Sequence, residues 1–129
     1  MDYLFVYGTL MHTVDHEMSR FLQANSQFVG HAHIYGRLYE VGGYPGAVAS
    51  ENTSERVYGH LFGILDTDLV FKVLDAYEGI GDGNPNDCEY QRTHITVYLE
   101  DGTTLRAWFY AYNFPTDTFL RIVSGRYLE

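Results

Sequence analysis

Basic residues are scarce in this chain. It has eight lysines and arginines against 17 aspartates and glutamates, which gives a formal net charge of −9 at pH 7. Nucleic acids and anionic membrane surfaces are bound mainly through basic side chains. The charge balance therefore argues against both kinds of partner, and we expect the chain to bind neither nucleic acid nor membrane.

Cysteine and long apolar runs are also nearly absent. A single cysteine excludes a disulfide within the chain. No apolar stretch approaches the roughly 20 residues that a membrane-spanning helix needs. The N-terminal sequence Met1-Asp2-Tyr3 lacks the basic segment of a signal peptide. We therefore expect a cytoplasmic protein whose 129 residues form one domain, 1–129.

Aromatic residues, by contrast, are abundant, with twelve tyrosines and eight phenylalanines. Such residues favour strands and large aromatic interiors or clefts. Apolar patterning predicts strands at 3–6, 28–41 (broken in two by Gly30 and Gly36), 47–49, 57–65, 90–99 and 105–112. It predicts helices near 18–22 and at 66–79, and a last helical turn at 119–123. Six or seven short strands with two helices indicate an α+β domain whose sheet curls into a partial barrel.

The segment Val6-Tyr7-Gly8-Thr9-Leu10 joins the first predicted strand to a helical segment. The apolar run before it is long enough only for a strand buried on both faces. Gly8 permits backbone conformations that a side chain would forbid, and lets another group approach the main chain closely. Backbone N–H groups at such a turn can hold a carboxylate or a developing oxyanion, although most strand-to-helix turns are only connections.

Glu78 is the most informative charged residue, because it lies near the end of the helix predicted at 66–79. A helical projection places Glu78 between the apolar Leu74 and Phe71, in the last turn, where the helix dipole disfavours an anion. Burial and the dipole both raise the pKa of a carboxyl group, and a raised pKa suits general acid–base chemistry. In the alternative interpretation the helix end frays and Glu78 points into water.

Other patterns indicate weaker candidates. The pairs His12/His16 and His31/His33 have spacings that can share a metal ion, but no carboxylate or cysteine stands at a fitting interval, so we expect no metal site. Cys88 lies in a polar loop without a nearby helix N-terminus and does not fit an activated nucleophile. Four tyrosines stand at loops or strand ends, where a side chain can reach a cleft: Tyr7, Tyr44, Tyr90 and Tyr112.

Several segments, in this order, are similar to those of one known family. They are Tyr7-Gly8-Thr9-Leu10, Gly43-Tyr44-Pro45-Gly46-Ala47-Val48, Leu74-Asp75-Ala76-Tyr77-Glu78-Gly79, Glu89-Tyr90-Gln91-Arg92 and Ala107-Trp108-Phe109-Tyr110. Together they span nearly the whole chain, which on this basis resembles the gamma-glutamylcyclotransferase-like family, including its AIG2-like branch.

The resemblance implies a mixed β-barrel of about six or seven strands with two main helices and a cavity at the opening loop. It implies that Glu78 is the acid–base residue of a reaction that converts a γ-glutamyl amine or amino acid to 5-oxoproline and releases the amine. No metal or cofactor is required. The expected substrate-binding residues are Tyr7, Gly8, Thr9 and Leu10, acting largely through backbone groups, with Tyr44, Tyr90 and Tyr112, and Arg92 is a further candidate for the substrate carboxylate.

Two other functions remain open at this point. One is a non-catalytic module that binds a small acidic metabolite in the same cavity. The other is a small amidohydrolase that uses Glu78 with water as the nucleophile. The segment 11–15 departs from the basic or glycine-containing segment that the family often has, so the sequence leaves the leaving group open. It also leaves the oligomeric state undetermined.

Overall fold

A computed structural model of the chain describes residues 1–8, 10–11, 16–81 and 83–127. Within these residues the elements are, in chain order, β1 (Asp2–Val6), α1 (Glu17–Ala24), β2 (Ser26–Glu40), β3 (Pro45–Ala49), β4 (Arg56–Ile64), α2 (Thr67–Tyr77), β5 (Tyr90–Leu99), β6 (Thr104–Tyr112) and β7 (Leu120–Arg121). A short 3-10 helix, Pro85–Asp87, lies between α2 and β5.

Five of these strands close into a barrel. They run in the order β2-β4-β1-β6-β5, and β5 pairs again with β2 to complete the circle. β1 is parallel to β6, whereas the other barrel pairings are antiparallel. β3 and β7 pair with β2 outside the closed barrel. The mixed β-barrel with two main helices that the sequence predicts is therefore confirmed.

The first strand separates two apolar cores, as its unbroken apolar sequence predicts. Phe5 packs in a cluster to which every barrel strand contributes, including Ile34, Leu61, Val97 and Phe109. Leu4 packs in the second cluster, which includes apolar residues of both helices. Because neighbouring side chains on a strand point to opposite faces, β1 is buried on both sides and its end is held firmly.

The helices are short and capped. The side chain of Asp66 accepts a hydrogen bond from the backbone N–H of Leu69 at 3.2 Å and so caps the start of α2. Gly79 has φ +81°, the left-handed conformation predicted for it after the helix end. In the described part of the chain, no helix is long and apolar enough to cross a membrane.

The predicted break within 28–41 is wrong, because β2 is one strand of 15 residues. Gly30 lies at a bulge where the register with β4 shifts. A Cβ on Gly36 would lie 2.5 Å from the carbonyl oxygen of Val48. This glycine therefore allows β3 to approach β2 closely and does not interrupt the strand.

The predicted helical turn at 119–123 is also wrong. Leu120 and Arg121 form β7, in register with Glu40 and Tyr39 of β2. The apolar spacing of this segment is too short to distinguish a helical turn from a strand, and pairing with the exposed edge of β2 decides the outcome.

Candidate functional site

A cavity of about 320 Å³ lies at the end of β1. Its volume is within the range usual for small-molecule sites. The described residues that line it include two carboxylates and no lysine, arginine or histidine. They are Phe5, Val6, Tyr7, Gly8, Leu10, Tyr44, Pro45, Tyr77, Glu78, Glu89, Tyr90 and Tyr110.

The turn after β1 forms one wall of this cavity. The backbone N–H of Met11 donates to the carbonyl oxygen of Gly8 at 3.0 Å and closes the turn. A Cβ on Gly8 would lie 2.8 Å from Cγ of Pro45, so only glycine lets β3 approach this closely. Gly8 and Leu10 both line the cavity, whereas Thr9 is outside the described residues.

Tyr7 fixes the end of β1 against two other strands. Its hydroxyl donates to the carbonyl oxygen of Tyr110 at 2.5 Å and accepts from the backbone N–H of Ala47 at 3.3 Å. Burial raises the pKa of Tyr7 above its ordinary value, so the phenol stays neutral. The hydroxyl is thus already satisfied by the protein, and Tyr7 shapes the cavity through its ring and its backbone.

Tyr90 and Tyr44 stand on the side of the cavity formed by β3 and β5. The hydroxyl of Tyr90 donates to the carbonyl oxygen of Pro45 at 2.5 Å. The hydroxyl of Tyr44, which is more exposed, donates to a carboxylate oxygen of Glu89. This hydrogen bond raises the pKa of Tyr44 to about 12. The pairing also holds the Glu89 carboxylate in place at the cavity wall.

Tyr112, expected from the sequence to bind substrate, does not line the cavity. It pairs with Tyr90 across the β5–β6 hairpin, and the two rings pack edge to face with centroids 5.5 Å apart. Its ring also contacts Gly46 closely, where a Cβ would lie 2.8 Å from it. Tyr110, two residues earlier and on the same face of β6, reaches the cavity instead.

Glu78 occupies the position directly after α2 and lines the cavity. Its backbone N–H donates to the carbonyl oxygen of Leu74 at 2.9 Å, which continues the helical pattern by one residue. Burial raises the pKa of Glu78 to about 7, and the charges of Glu89 and Asp75 act in the same direction. No residue in the described ranges donates a hydrogen bond to this carboxyl group. Near neutral pH it can therefore both accept and release a proton.

Asp75 connects the end of α2 to the barrel. Its carboxylate accepts from Nε of Arg92 at 2.9 Å, from a terminal guanidinium nitrogen at 3.2 Å, and from the Tyr110 hydroxyl at 2.7 Å. The Arg92 guanidinium lies 4.0 Å from the ring centroid of Phe71 and 4.4 Å from that of Trp108. Arg92 is therefore engaged with Asp75 and two aromatic rings, and it is not among the residues that line the cavity.

Sequence reasoning did not single out Glu89 or Tyr110, although both belong to the segments that carry the family resemblance. Their positions in the sequence could have indicated that both reach the cavity. Glu89 directly precedes Tyr90, and Tyr110 shares a strand face with Tyr112.

The structure also locates the weaker candidates. Cys88 is a free, partly buried thiol next to the 3-10 helix. His31 and His33 lie on β2 and line a separate cavity. Across residues 1–8, 10–11, 16–81 and 83–127, no three histidine, cysteine, aspartate or glutamate side chains are placed to share a metal ion.

Comparisons with known proteins give a consistent result. Residues 4–129 match the family model described as "Gamma-glutamyl cyclotransferase, AIG2-like". The gamma-glutamylcyclotransferase family protein YtfP of Escherichia coli K12 is 34% identical, in an alignment that covers 98% of this chain and 96% of that protein. The solution structure of E. coli ytfP superposes with a TM-score of 0.62 and 31% identity over 98% of this chain and 96% of the other.

The fold extends to more distant proteins. An aig2-like protein from Mus musculus is 19% identical and superposes with a TM-score of 0.65, covering all of this chain and 96% of its own. At 19% identity that similarity concerns the fold alone, whereas the E. coli relative is 34% identical and the family model matches residues 4–129. The chain therefore belongs to the AIG2-like gamma-glutamyl cyclotransferase family.

Proposed function

We propose that this protein is a γ-glutamylcyclotransferase that converts a small γ-glutamyl amine or amino acid to 5-oxoproline, with Glu78 as general acid and base. The observation that carries this proposal is the position of Glu78. Its carboxyl group, with a pKa raised to about 7, lines the cavity that the turn after β1 also borders. General acid–base catalysis is most effective when the pKa of the group lies near the working pH.

Binding of the substrate carboxylate follows from the charge of the cavity. Its described lining has two carboxylates and no cationic side chain, so none of these described side chains can pair with an anion through charge. We assign the substrate α-carboxylate to backbone N–H groups of the turn after β1, where Gly8 and Leu10 both line the cavity. The substrate α-ammonium group then faces Glu78 and Glu89.

The reaction forms one C–N bond and breaks another. The α-ammonium group first loses a proton to solvent and becomes a free amine. Its nitrogen then attacks the γ-carbonyl carbon while the Glu78 carboxylate accepts its second proton. Glu78 delivers this proton to the departing nitrogen as the original amide bond breaks, and the released amine takes up a proton from water. Glu78 ends as a carboxylate, so the cycle is closed.

Positioning of the substrate supplies the rest of the rate acceleration. The nucleophile and the carbonyl belong to the same molecule, so the protein has only to hold the folded-back conformer in which they meet. The aromatic walls formed by Tyr7, Tyr90 and Tyr110 are fixed by their own hydrogen bonds and restrict that conformer. Proton transfer and positioning are sufficient for this chemistry, and the proposed reaction uses no metal or cofactor.

A panel of γ-glutamyl amino acids and amines, assayed for 5-oxoproline release, tests the proposal. We expect the wild-type protein to release 5-oxoproline from at least one member. Glu78→Gln should lower the rate by about 10²- to 10⁴-fold, because an amide cannot exchange a proton. Glu51→Gln, which alters an exposed carboxylate in the loop after β3, is the matched control and should keep wild-type activity.

Three results would contradict the proposal. Tight binding of γ-glutamyl compounds without conversion at any pH would identify a binding module. Release of glutamate in place of 5-oxoproline would identify an amidohydrolase. A folded Glu78→Gln variant with full activity would remove Glu78 from the reaction.

A further inference from the structure

A second cavity, of about 240 Å³, shares none of its lining residues with the first. It lies where β2, β4, the turn after β5 and the C-terminal segment 122–127 meet. Its described lining is rich in nitrogen donors, with the imidazoles of His31, His33 and His60 and the guanidinium of Arg126. The first cavity, by contrast, has two carboxylates and no cationic side chain among the described residues that line it.

Strand register brings the imidazoles together. His31 of β2 is paired with His60 of β4, and their rings pack edge to face with centroids 4.6 Å apart. His33, two residues along β2, lies on the same face, and its ring stacks on that of Tyr98. The Nε2 atom of His33 is buried and has no hydrogen-bond partner among the described residues, so the chain leaves this wall of the cavity polar and incompletely satisfied.

The C-terminal segment holds Arg126 at the cavity. The backbone N–H of Tyr58 donates to the carbonyl oxygen of Gly125 at 2.8 Å. Gly125 has φ +73°, and a Cβ there would lie 1.9 Å from the carbonyl oxygen of Arg56, so this contact needs glycine. The Arg126 guanidinium then lies 4.0 Å from the ring centroid of Tyr58. Backbone contacts therefore hold the chain beside Arg126, and a cation–π contact favours the position of its exposed guanidinium on the Tyr58 ring.

Three other arginines have a carboxylate partner, whereas Arg126 has none among the described residues. Arg37 and Arg121 pair with Glu55, and Arg92 pairs with Asp75. Among the described residues no carboxylate lies within ion-pair distance of Arg126. In a chain with a formal charge of −9, a guanidinium that has no carboxylate partner among the described residues and lines a cavity with three imidazoles is an unusual concentration of donors.

We propose that this second cavity binds a small molecule through an oxyanion, a carboxylate or a phosphate, with Arg126 supplying the charge and His31 a hydrogen bond. Guanidinium groups match the geometry of both oxyanions, and the Tyr58 ring on which Arg126 lies limits the directions that the guanidinium can take. Glu100, in the turn after β5, is the acidic residue in the described lining and opposes binding.

Titration of the ¹⁵N-labelled protein with inorganic phosphate and, separately, with succinate tests the site. We expect saturable shifts of the His31 and His60 imidazole signals and of the Arg126 side chain with at least one of the two anions, and weaker binding as salt is added. A response to phosphate alone assigns the site to phosphates, and a response to succinate alone assigns it to carboxylates. Absence of saturable shifts with both anions would overturn the proposal.

Three variants predict the direction in which the affinity for the anion should change. Arg126→Gln should weaken binding about tenfold, because a charge-assisted hydrogen bond is lost. Glu100→Gln should tighten binding a few-fold, because a like charge is removed. Lys72→Gln, which removes the same formal charge from an exposed position on α2, is the control and should leave affinity unchanged.

Unchanged affinity in a folded Arg126→Gln protein would contradict the assignment. Shifts confined to the cavity of Glu78 would contradict it as well. The site does not depend on cyclotransferase activity, and these measurements require none.

Discussion

Replacement of Glu78 by glutamine should remove a contribution to the free energy of unfolding that falls as the pH rises. In the folded state burial, helped by the charges of Glu89 and Asp75, raises the pKa of Glu78 to about 7 from an ordinary value of 4.5. Each pKa unit that separates the folded from the unfolded state is worth about 1.4 kcal/mol. When the pH lies above both pKa values, ionised Glu78 therefore destabilises the folded wild-type protein by about 3 kcal/mol.

The direction of this pH dependence follows from the order in which Glu78 ionises in the unfolded and the folded state. Below pH 4.5 the carboxyl group is protonated in both states and destabilises neither. Between pH 4.5 and about 7 the unfolded chain loses its proton first, so wild-type stability falls as the pH rises. Glutamine does not ionise. The free energy of unfolding of Glu78→Gln, relative to wild type, should therefore rise by about 3 kcal/mol across this window.

Urea unfolding of both proteins at a series of pH values from about 4 to about 8 measures the difference. Glu51→Gln, in an exposed loop, is the matched control and should retain the wild-type dependence on pH. A difference between Glu78→Gln and wild type that stays constant over this range would refute the reasoning. It would mean that the Glu78 carboxyl group titrates alike in the folded and unfolded states.

Three further changes test how the cavity is built. Activity should rise with pH as the Glu78 carboxyl group ionises, and Glu89→Gln removes a charge that raises the pKa of Glu78, so this rise should move to lower pH in a pH–rate profile. Tyr110→Phe removes the hydroxyl that donates to Asp75 and should lower the free energy of unfolding by about 1–2 kcal/mol in urea. Gly8→Ala places a methyl group 2.8 Å from a proline ring carbon, and should destabilise by about 1–3 kcal/mol and weaken 5-oxoproline binding measured by calorimetry.

Local patterns were sufficient to predict most of the elements. Alternating residues in 90–99, the turn residues 100–102 and the apolar run 105–112 predicted the hairpin that β5 and β6 form. Asp66 and Gly79 predicted the two ends of α2 from the chemistry of helix caps. The errors at Gly36 and at 119–123 arose where the partner was another strand, since a local pattern does not show which strand edge is open.

The sequence by itself determined the family, most of the element types and the place of Glu78 at the end of an amphipathic helix. The last two depend on residues close together in the chain, and the family depends on the order of short local segments. Tertiary structure decided which side chains share a cavity. The Tyr7 hydroxyl meets the carbonyl of a residue 103 positions away, and Tyr110 rather than Tyr112 reaches the cavity. Arg92 turns to Asp75 because strand register and helix packing place the two side chains together. The raised pKa of Glu78 likewise requires the walls that bury it, and distant strands supply those walls only when the barrel closes.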